Sequence, residues 1–161
     1  MPGFRCLPMP SETAARWRAT GRDDRGNGLI ERRVARTPHG AAFPCRHCLR
    51  SGEEGDVMLL GSHNLPRPPG VYWTPSPIFV HASPCPRFDA KNEIAPTVLA
   101  NSLVSVRSYD GEGLCLYDLG QVCEGMGVAA PLHRALDDPR TAFVNIHTAR
   151  PGCWLAGAER L

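Results

Sequence analysis

Two cysteines separated by two residues are the chemically most distinctive feature of this sequence. Cys45 and Cys48 lie in the segment 43–50, FPCRHCLR. The C-x-x-C spacing is typical of a zinc knuckle and of a dithiol redox pair. The arginines and the histidine around the pair favour thiolate, because nearby positive charge lowers the pKa of a thiol. The pair therefore indicates metal binding, thiol chemistry or two structural thiols.

The rest of the sequence contains no second C-x-x-C pair. A structural zinc site needs four ligands, which usually come as two paired motifs. The remaining candidates are single residues in different segments, namely His63, His81, His147 and Cys153. A thioredoxin-like role is disfavoured as well, because no strand–helix–strand pattern surrounds the pair. We therefore expect no bound metal and no cofactor, with structural thiols as the main alternative to a reactive Cys45.

A second candidate is Arg107, in the middle of an alternating segment. Val104 and Val106 share one face of the expected strand 103–109, so Arg107 lies on the opposite face. An arginine at such a position either pairs with a carboxylate or binds an anionic ligand. The sequence leaves open whether Arg107 faces a pocket or forms an ion pair on a solvated sheet face.

A third candidate is the segment 145–154, NIHTARPGCW. His147 lies near a strand end, and Cys153 directly follows a Pro-Gly turn. Histidine and cysteine side chains at such positions can form an acid–base site. The alternative is a hydrogen-bonded histidine at the sheet margin. The sequence lacks the phosphate-loop, dinucleotide-binding, zinc-protease and serine-hydrolase signatures, so no standard reaction class is indicated.

These segments, in this order, resemble a bacterial family of proteins, domain-of-unknown-function family 1203. Four segments show the resemblance. The first is 44–50 (PCRHCLR), followed by Gly55 and the apolar run 57–60, and the second is 77–80 (PIFV). The third is 104–110 (VSVRSYD), and the fourth is 138–154, which contains Asp-Pro, VNIHTA and GCW. The resemblance extends from about Phe4 to Arg160. Because the family has no assigned activity, the resemblance implies no particular reaction. The positions that match its motifs are Cys45, Arg46, Arg107, His147 and Cys153. Asn145 and Thr148 depart from the pattern, which disfavours a histidine-rich metal site.

The composition excludes several classes of protein. The chain has 161 residues, 42% of them apolar, which fits a single domain over residues 1–161. Its net charge of +2 lacks the basic excess of a nucleic-acid-binding protein. No apolar run approaches the ~18 residues of a membrane helix, and the N-terminus lacks the apolar segment of a secretory signal. We therefore expect no nucleic-acid and no membrane partner, and a cytoplasmic protein with reduced cysteines.

Short strands outnumber helices in the pattern and do not alternate with them. One helix is expected after Ser11, ending at Gly21, and a second over residues 127–137. The region 66–86 contains seven of the sixteen prolines, and only residues 78–81 are expected to form a strand there, since proline cannot donate to a ladder. The pattern predicts an α+β fold, a mostly antiparallel sheet with two main helices and a proline-rich flap.

The three candidate segments together predict one polar pocket that binds a small anionic molecule. Cys45 and His147 are its candidate catalytic groups, as nucleophile or ligand and as proton carrier. Arg46, Arg107 and Cys153 are its candidate ligand-binding groups. This hypothesis places Cys45 near Cys153 or His147.

The alternative hypothesis is a non-catalytic interaction module. In it, the proline-rich flap contacts a protein partner through an exposed patch of Tyr72, Trp73 and Phe79. The sequence leaves open whether the protein is an enzyme, which reaction it would perform and what its oligomeric state is.

Overall fold

The computed structural model describes residues 3–35 and 43–161. Within these ranges the strands are β1 (Phe4–Leu7), β2 (Ile30–Arg33), β3 (Val57–Asn64), β4 (Pro75–His81), β5 (Val104–Tyr109), β6 (Gln121–Cys123), β7 (Phe143–Thr148) and β8 (Trp154–Arg160). The helices are α1 (Ser11–Thr20), α2 (Pro96–Leu99) and α3 (Ala129–Asp137). The strands form two antiparallel sheets, so the expected α+β fold is confirmed, with α1 and α3 as the two main helices.

The larger sheet has the strand order β1-β8-β7-β5-β6. Its apolar face comes from strict alternation, which buries Val104 and Val106 of β5. This face packs against α3, whose Leu132 and Leu136 belong to the same core. Truncating one such leucine to alanine costs about 2–5 kcal/mol, so this core fixes the sheet on which Arg107 and His147 lie.

The smaller sheet has the order β2-β3-β4 and carries α1 on one face. The expectation of a strand confined to residues 78–81 was wrong, because β4 begins at Pro75. The backbone polar groups of Phe79 point away from β3, because its carbonyl accepts from the N–H of Arg46 at 2.9 Å. Pro77 and Pro75 are two and four residues before Phe79, so their backbone nitrogens also point away from β3. Proline in a strand is tolerated where its missing N–H would face away from the neighbouring strand.

Trp154 joins the two sheets. It opens β8 of the larger sheet, yet its side chain belongs to the core of the smaller one. Its N–H donates to Ser76 Oγ at 2.9 Å, and its indole N–H donates to Asn145 Oδ1 at 3.1 Å. The start of β8 is therefore fixed against β4, and this junction positions the groups described next.

None of the helices within residues 3–35 and 43–161 combines the length and apolar character needed to cross a membrane.

Candidate metal centre and adjoining clefts

The loop 44–50 folds so that its two cysteines converge. The N–H of Cys45 donates to Arg50 O at 3.0 Å, and the N–H of Leu49 donates to Cys45 O at 2.9 Å. Leu49 adopts a φ of 54°, in the left-handed region, which turns the chain back directly after Cys48. Cys45 and Cys48 are both buried in the core beside the smaller sheet.

Two further side chains meet this pair. His81 is the last residue of β4, and Cys85 follows it by four residues. One ligand atom from each of Cys45, Cys48, His81 and Cys85 lies within 4.8 Å of all the others. We call these four residues the Cys3His cluster. Because three thiols and one imidazole are the donors that zinc prefers, this cluster could hold a metal ion.

Polar groups surround the cluster on several sides. The Arg18 guanidinium donates to Cys85 Sγ at 3.4 Å, and Nδ1 of His47 lies 3.3 Å from the same sulfur. The backbone N–H of His81 donates to Cys45 Sγ at 3.4 Å. Nε2 of His81 lies 3.4 Å from the carboxylate of Asp56. The sulfurs therefore have N–H donors around them, which stabilise negative charge on sulfur.

The thiols of the cluster divide into one acidic and two weakly acidic groups. A hydrogen bond from Cys48, outweighing burial and aided by His81, lowers the pKa of Cys45 to about 3. Hydrogen bonding to Cys45 and burial raise the pKa of Cys48. Burial and the negative charge of Cys45 raise the pKa of Cys85. Of the three thiols, Cys45 is the one whose thiolate form is favoured by its neighbours.

Arg46 carries a buried positive charge beside the cluster. It is 2% exposed, and its Nε donates to Trp154 O at 2.7 Å while Nη1 donates to Pro44 O at 2.6 Å. Burial lowers the pKa of Arg46 to about 10, and the neighbouring Cys153 and Cys45 oppose that shift. The bond to Trp154 brings the 44–50 loop next to the turn that carries Cys153.

A cleft opens at this junction. This Arg46 cleft has a volume of about 300 Å³. Its polar lining includes Arg46, Thr148, Arg150 and Cys153, and Phe79 of β4 forms part of its apolar wall. Arg46 contributes little exposed surface to it, because the guanidinium is occupied by two backbone carbonyls.

The second cleft, of about 400 Å³, lies around Arg107. Ser105, Arg107 and Tyr109 of β5 line it on one side, and Tyr72 and Tyr117 line it on the other. The hydroxyls of Tyr72 and Tyr117 are hydrogen-bonded to each other. We call this space the Arg107 cleft. Burial raises the pKa of Tyr109, and the neighbouring Arg107 partly opposes this shift.

His147 lies in the sheet between the two arginines. It is 4% exposed, and its Nδ1–H donates to the carbonyl of Gly152 at 2.9 Å. Burial, followed by the positive charge of Arg107 and that of Arg46, lowers the pKa of His147 to about 4. The imidazole is therefore neutral near pH 7. Its bond to Gly152 stabilises the turn before Cys153.

The sequence profile of the family described as "Protein of unknown function (DUF1203)" matches residues 42–160 of the chain. The chain belongs to this family. The resemblance recognised in its four motifs is therefore confirmed, and the match contains the Cys3His cluster and both arginine clefts. No curated protein and no solved structure matches the chain.

The single pocket expected from the sequence is divided in this member of the DUF1203 family. Arg46 and Cys153 line the Arg46 cleft, whereas Arg107 lines the other cleft. Cys45 is a neighbour of Arg46 but is buried and lines neither of them. His147 is not among the residues that line either of these two clefts. The reason is that β7, which carries His147, is a central strand covered on both faces.

Sequence reasoning missed Cys85 and treated His81 as an isolated residue. The signal available was local, because His81 and Cys85 are separated by three residues at the end of a strand, a spacing compatible with two ligands of one metal. The expectation of no bound metal rested on the lack of a second ligand pair. His81 and Cys85 form such a pair, so the argument behind that expectation no longer applies.

His63, another isolated candidate, belongs to a separate buried group. Its Nδ1 lies 2.7 Å from the Asp24 carboxylate, which also accepts from the indole N–H of Trp17 at 2.9 Å. Arg16 forms an ion pair with the same carboxylate. These bonds tie the loop after α1 to β3, so the group has a structural role.

Proposed function

We propose that this protein binds a small organic anion in the Arg107 cleft. The proposal rests on one observation, the lack of a strong hydrogen-bond or ion-pair partner for the Arg107 guanidinium among the described residues. The guanidinium has only weak polar neighbours among the described residues, namely Ser105 Oγ at 3.4 Å from Nε and the hydroxyl of Tyr109. In residues 3–35 and 43–161 no carboxylate lies within 4 Å of it, although other arginines have such partners. A half-buried guanidinium cannot lose its charge, so an anion that enters the cleft gains a strong partner.

The lining of the cleft favours a carboxylate that also has a flat apolar part. Tyr72, Tyr109 and Tyr117 supply aromatic walls and hydroxyl groups around the charge of Arg107. A volume of about 400 Å³ lies within the usual range for small-molecule sites. Such a ligand pairs its carboxylate with the guanidinium in a bidentate manner and packs its apolar part against the rings.

The proposal concerns binding and names no reaction. The candidate catalytic groups Cys45 and His147 do not line the Arg107 cleft. His147 is buried and neutral, and Cys45 belongs to the Cys3His cluster. Arg46 and Cys153 line the other cleft, so of the residues nominated by the sequence it is Arg107 that carries the function.

We place this binding in the cytoplasm of a bacterial cell and expect no nucleic-acid partner. All seven cysteines are free, which suits a reducing compartment. The net charge of +2 is too small to support binding to a polyphosphate backbone.

The test is a thermal-shift screen with small carboxylates, each paired with its neutral amide. Binding to the folded state alone raises the melting temperature in proportion to the logarithm of ligand excess over Kd. We expect shifts with aromatic carboxylates and none with the amides. The Arg107→Met variant should fold normally and lose these shifts, because methionine keeps apolar bulk but has no charge.

Arg150→Met is the matched control. Arg150 is an exposed arginine that lines the Arg46 cleft, so its loss should leave the carboxylate shifts unchanged. Equal shifts in Arg107→Met and in the parent protein would show that the Arg107 cleft is not the binding site. A large loss of stability without ligand would instead assign Arg107 a structural role.

The alternative function, a non-catalytic interaction module, has support at the rim of the same cleft. Val71 is 88% exposed and Tyr117 is 75% exposed, so both side chains are accessible to a partner. The three residues named from the sequence are distributed differently, since Tyr72 and Phe79 line different clefts and Trp73 donates to Leu65 O at 2.9 Å. A Val71→Asp variant that loses a protein partner but keeps the carboxylate shifts would favour the alternative.

A further inference from the structure

We propose that Cys45, Cys48, His81 and Cys85 bind one zinc ion, which holds the 44–50 loop against the end of β4. This inference is independent of ligand binding in the Arg107 cleft. It concerns a different group of residues, on the other sheet.

The spacing of the ligand atoms matches a tetrahedron around zinc. With Zn–S near 2.3 Å and Zn–N near 2.0–2.1 Å, tetrahedral geometry requires about 3.8 Å between two sulfurs and about 3.5 Å between sulfur and nitrogen. Cys45 Sγ lies 3.8 Å from Cys85 Sγ, and Cys48 Sγ lies 3.5 Å from His81 Nδ1. All four ligand atoms lie within 4.8 Å of one another.

A disulfide does not explain this arrangement. A disulfide bond requires about 2.05 Å between sulfurs, and all seven cysteines of the chain are free. Three cysteines cannot pair completely among themselves, and a disulfide would leave the imidazole of His81 without a function in the cluster. A single cation uses all four groups.

The residues that contact the four ligand side chains are arranged as an outer coordination shell. Histidine ligands usually donate their second ring N–H to a carboxylate, and Nε2 of His81 lies 3.4 Å from Asp56. This leaves the lone pair of Nδ1 directed at the cluster. Asp56 is itself held, because its carboxylate accepts from the N–H of Glu53 at 2.8 Å.

The Cys85 sulfur also has hydrogen-bonding groups beside it. Cys85 Sγ accepts from Arg18 at 3.4 Å, and Nδ1 of His47 lies 3.3 Å from the same sulfur. Nε2 of His47 lies 2.8 Å from Ser11 Oγ, whose hydroxyl can donate to it, and in that tautomer Nδ1–H donates to the sulfur. Donors at this distance stabilise thiolate ligands, which are the form that binds metal.

Charge balance also favours an occupied centre. Three thiolates and a neutral imidazole around a divalent cation carry a net charge of about −1. Arg46 follows Cys45 in the loop, and its buried guanidinium has no carboxylate within 4 Å among the described residues. A buried positive charge needs a compensating negative one, and the zinc–thiolate centre supplies it.

The ligand set selects zinc and a structural role. Thiolate and imidazole donors are too soft for magnesium or calcium, which prefer oxygen. All four tetrahedral positions are filled by protein, whereas a catalytic zinc keeps one position for water or substrate. The ion links two segments 36 residues apart, from Cys45 to His81, so its binding energy contributes to folding.

The experiment measures metal in the full-length protein purified without chelator or added metal. Elemental analysis should find about one zinc per chain. Removal by a chelator under reducing conditions, followed by addition of Co²⁺, should give the intense visible and near-ultraviolet absorption of tetrahedral cobalt with thiolate ligands. One equivalent of Zn²⁺ should then displace the cobalt and remove that absorption.

Two variants locate the site. Cys85→Ser should lose zinc or bind it at least tenfold more weakly, whereas Cys153→Ser, which changes a cysteine outside the cluster, should retain it. Because Cys85→Ser can also fail to fold, the cobalt spectrum of the parent protein stands as an independent measurement. Reduced parent protein that binds neither Zn²⁺ nor Co²⁺ would overturn the proposal, as would full zinc retention by Cys85→Ser. A Cys45–Cys48 disulfide in the purified protein, without zinc, would overturn it in favour of a redox pair.

Discussion

Nε2 of His81 lies 3.4 Å from the carboxylate of Asp56. This contact holds the imidazole so that Nδ1 faces the sulfurs, and it makes the ring a stronger electron donor. We therefore predict that Asp56→Asn weakens zinc binding about 10-fold to 100-fold while the fold is retained. Competition with a chromophoric chelator measures the affinity. Asp89→Asn, at an exposed aspartate, is the control, and equal affinities in both variants would contradict the positioning role of Asp56.

The cysteines of the cluster should differ from the others in reactivity. With zinc bound, Cys45, Cys48 and Cys85 are protected as ligands, whereas the partly exposed Cys153 is free to react. Chelation should then raise the number of thiols that react with a disulfide reagent under native conditions by about three per chain. Mass spectrometry of labelled peptides identifies the positions. A reactive Cys85 before chelation would contradict protection by metal.

Replacing Arg46 should destabilise the junction between the two sheets. Its guanidinium donates to the carbonyls of Trp154 and Pro44, and Arg46→Met removes both of these hydrogen bonds. We predict a loss of about 2–5 kcal/mol in the free energy of unfolding. Urea denaturation measures it, with Arg150→Met expected to change stability by less than about 0.5 kcal/mol. Similar stabilities of the two variants would show that the Arg46 bonds contribute little.

The pH dependence of stability should contain a contribution from His147. Its pKa of about 4 in the folded protein lies below the value of ~6.5 of an unfolded histidine. Between these values the unfolded chain binds the proton and the folded protein does not, so stability is full above pH ~6.5 and falls as the pH decreases towards 4.

The His147→Gln variant tests this contribution. It keeps a donor for Gly152 O but does not titrate, so the decline in its unfolding free energy between pH 6.5 and 4 should be smaller by on the order of 2–3 kcal/mol. Equal slopes in the variant and the parent would indicate that the folded imidazole titrates normally.

Local features of the sequence correctly predicted the two main helices and the alternation of β5. Gly21 ends α1 with a φ of 65°, as expected for a helix that stops at glycine. The alternation in β5 correctly placed Val104 and Val106 in the core and Arg107 on the other face. Ser11 shows the limit of such reasoning, because α1 was expected to begin after it, whereas Ser11 is the first residue of α1 and its hydroxyl is hydrogen-bonded to His47 of the cysteine loop.

The sequence by itself determined the family, the α+β class and the types of reactive residues, because these depend on composition, alternation and turn residues that act over a few positions. Only the tertiary structure decided which of those residues meet. His81 and Cys85 join Cys45 and Cys48 because β4 lies beside the cysteine loop, with the carbonyl of Phe79 accepting from the N–H of Arg46. That pairing is made between segments more than thirty residues apart, and its stability comes from the packing of the whole domain, which local pattern does not specify.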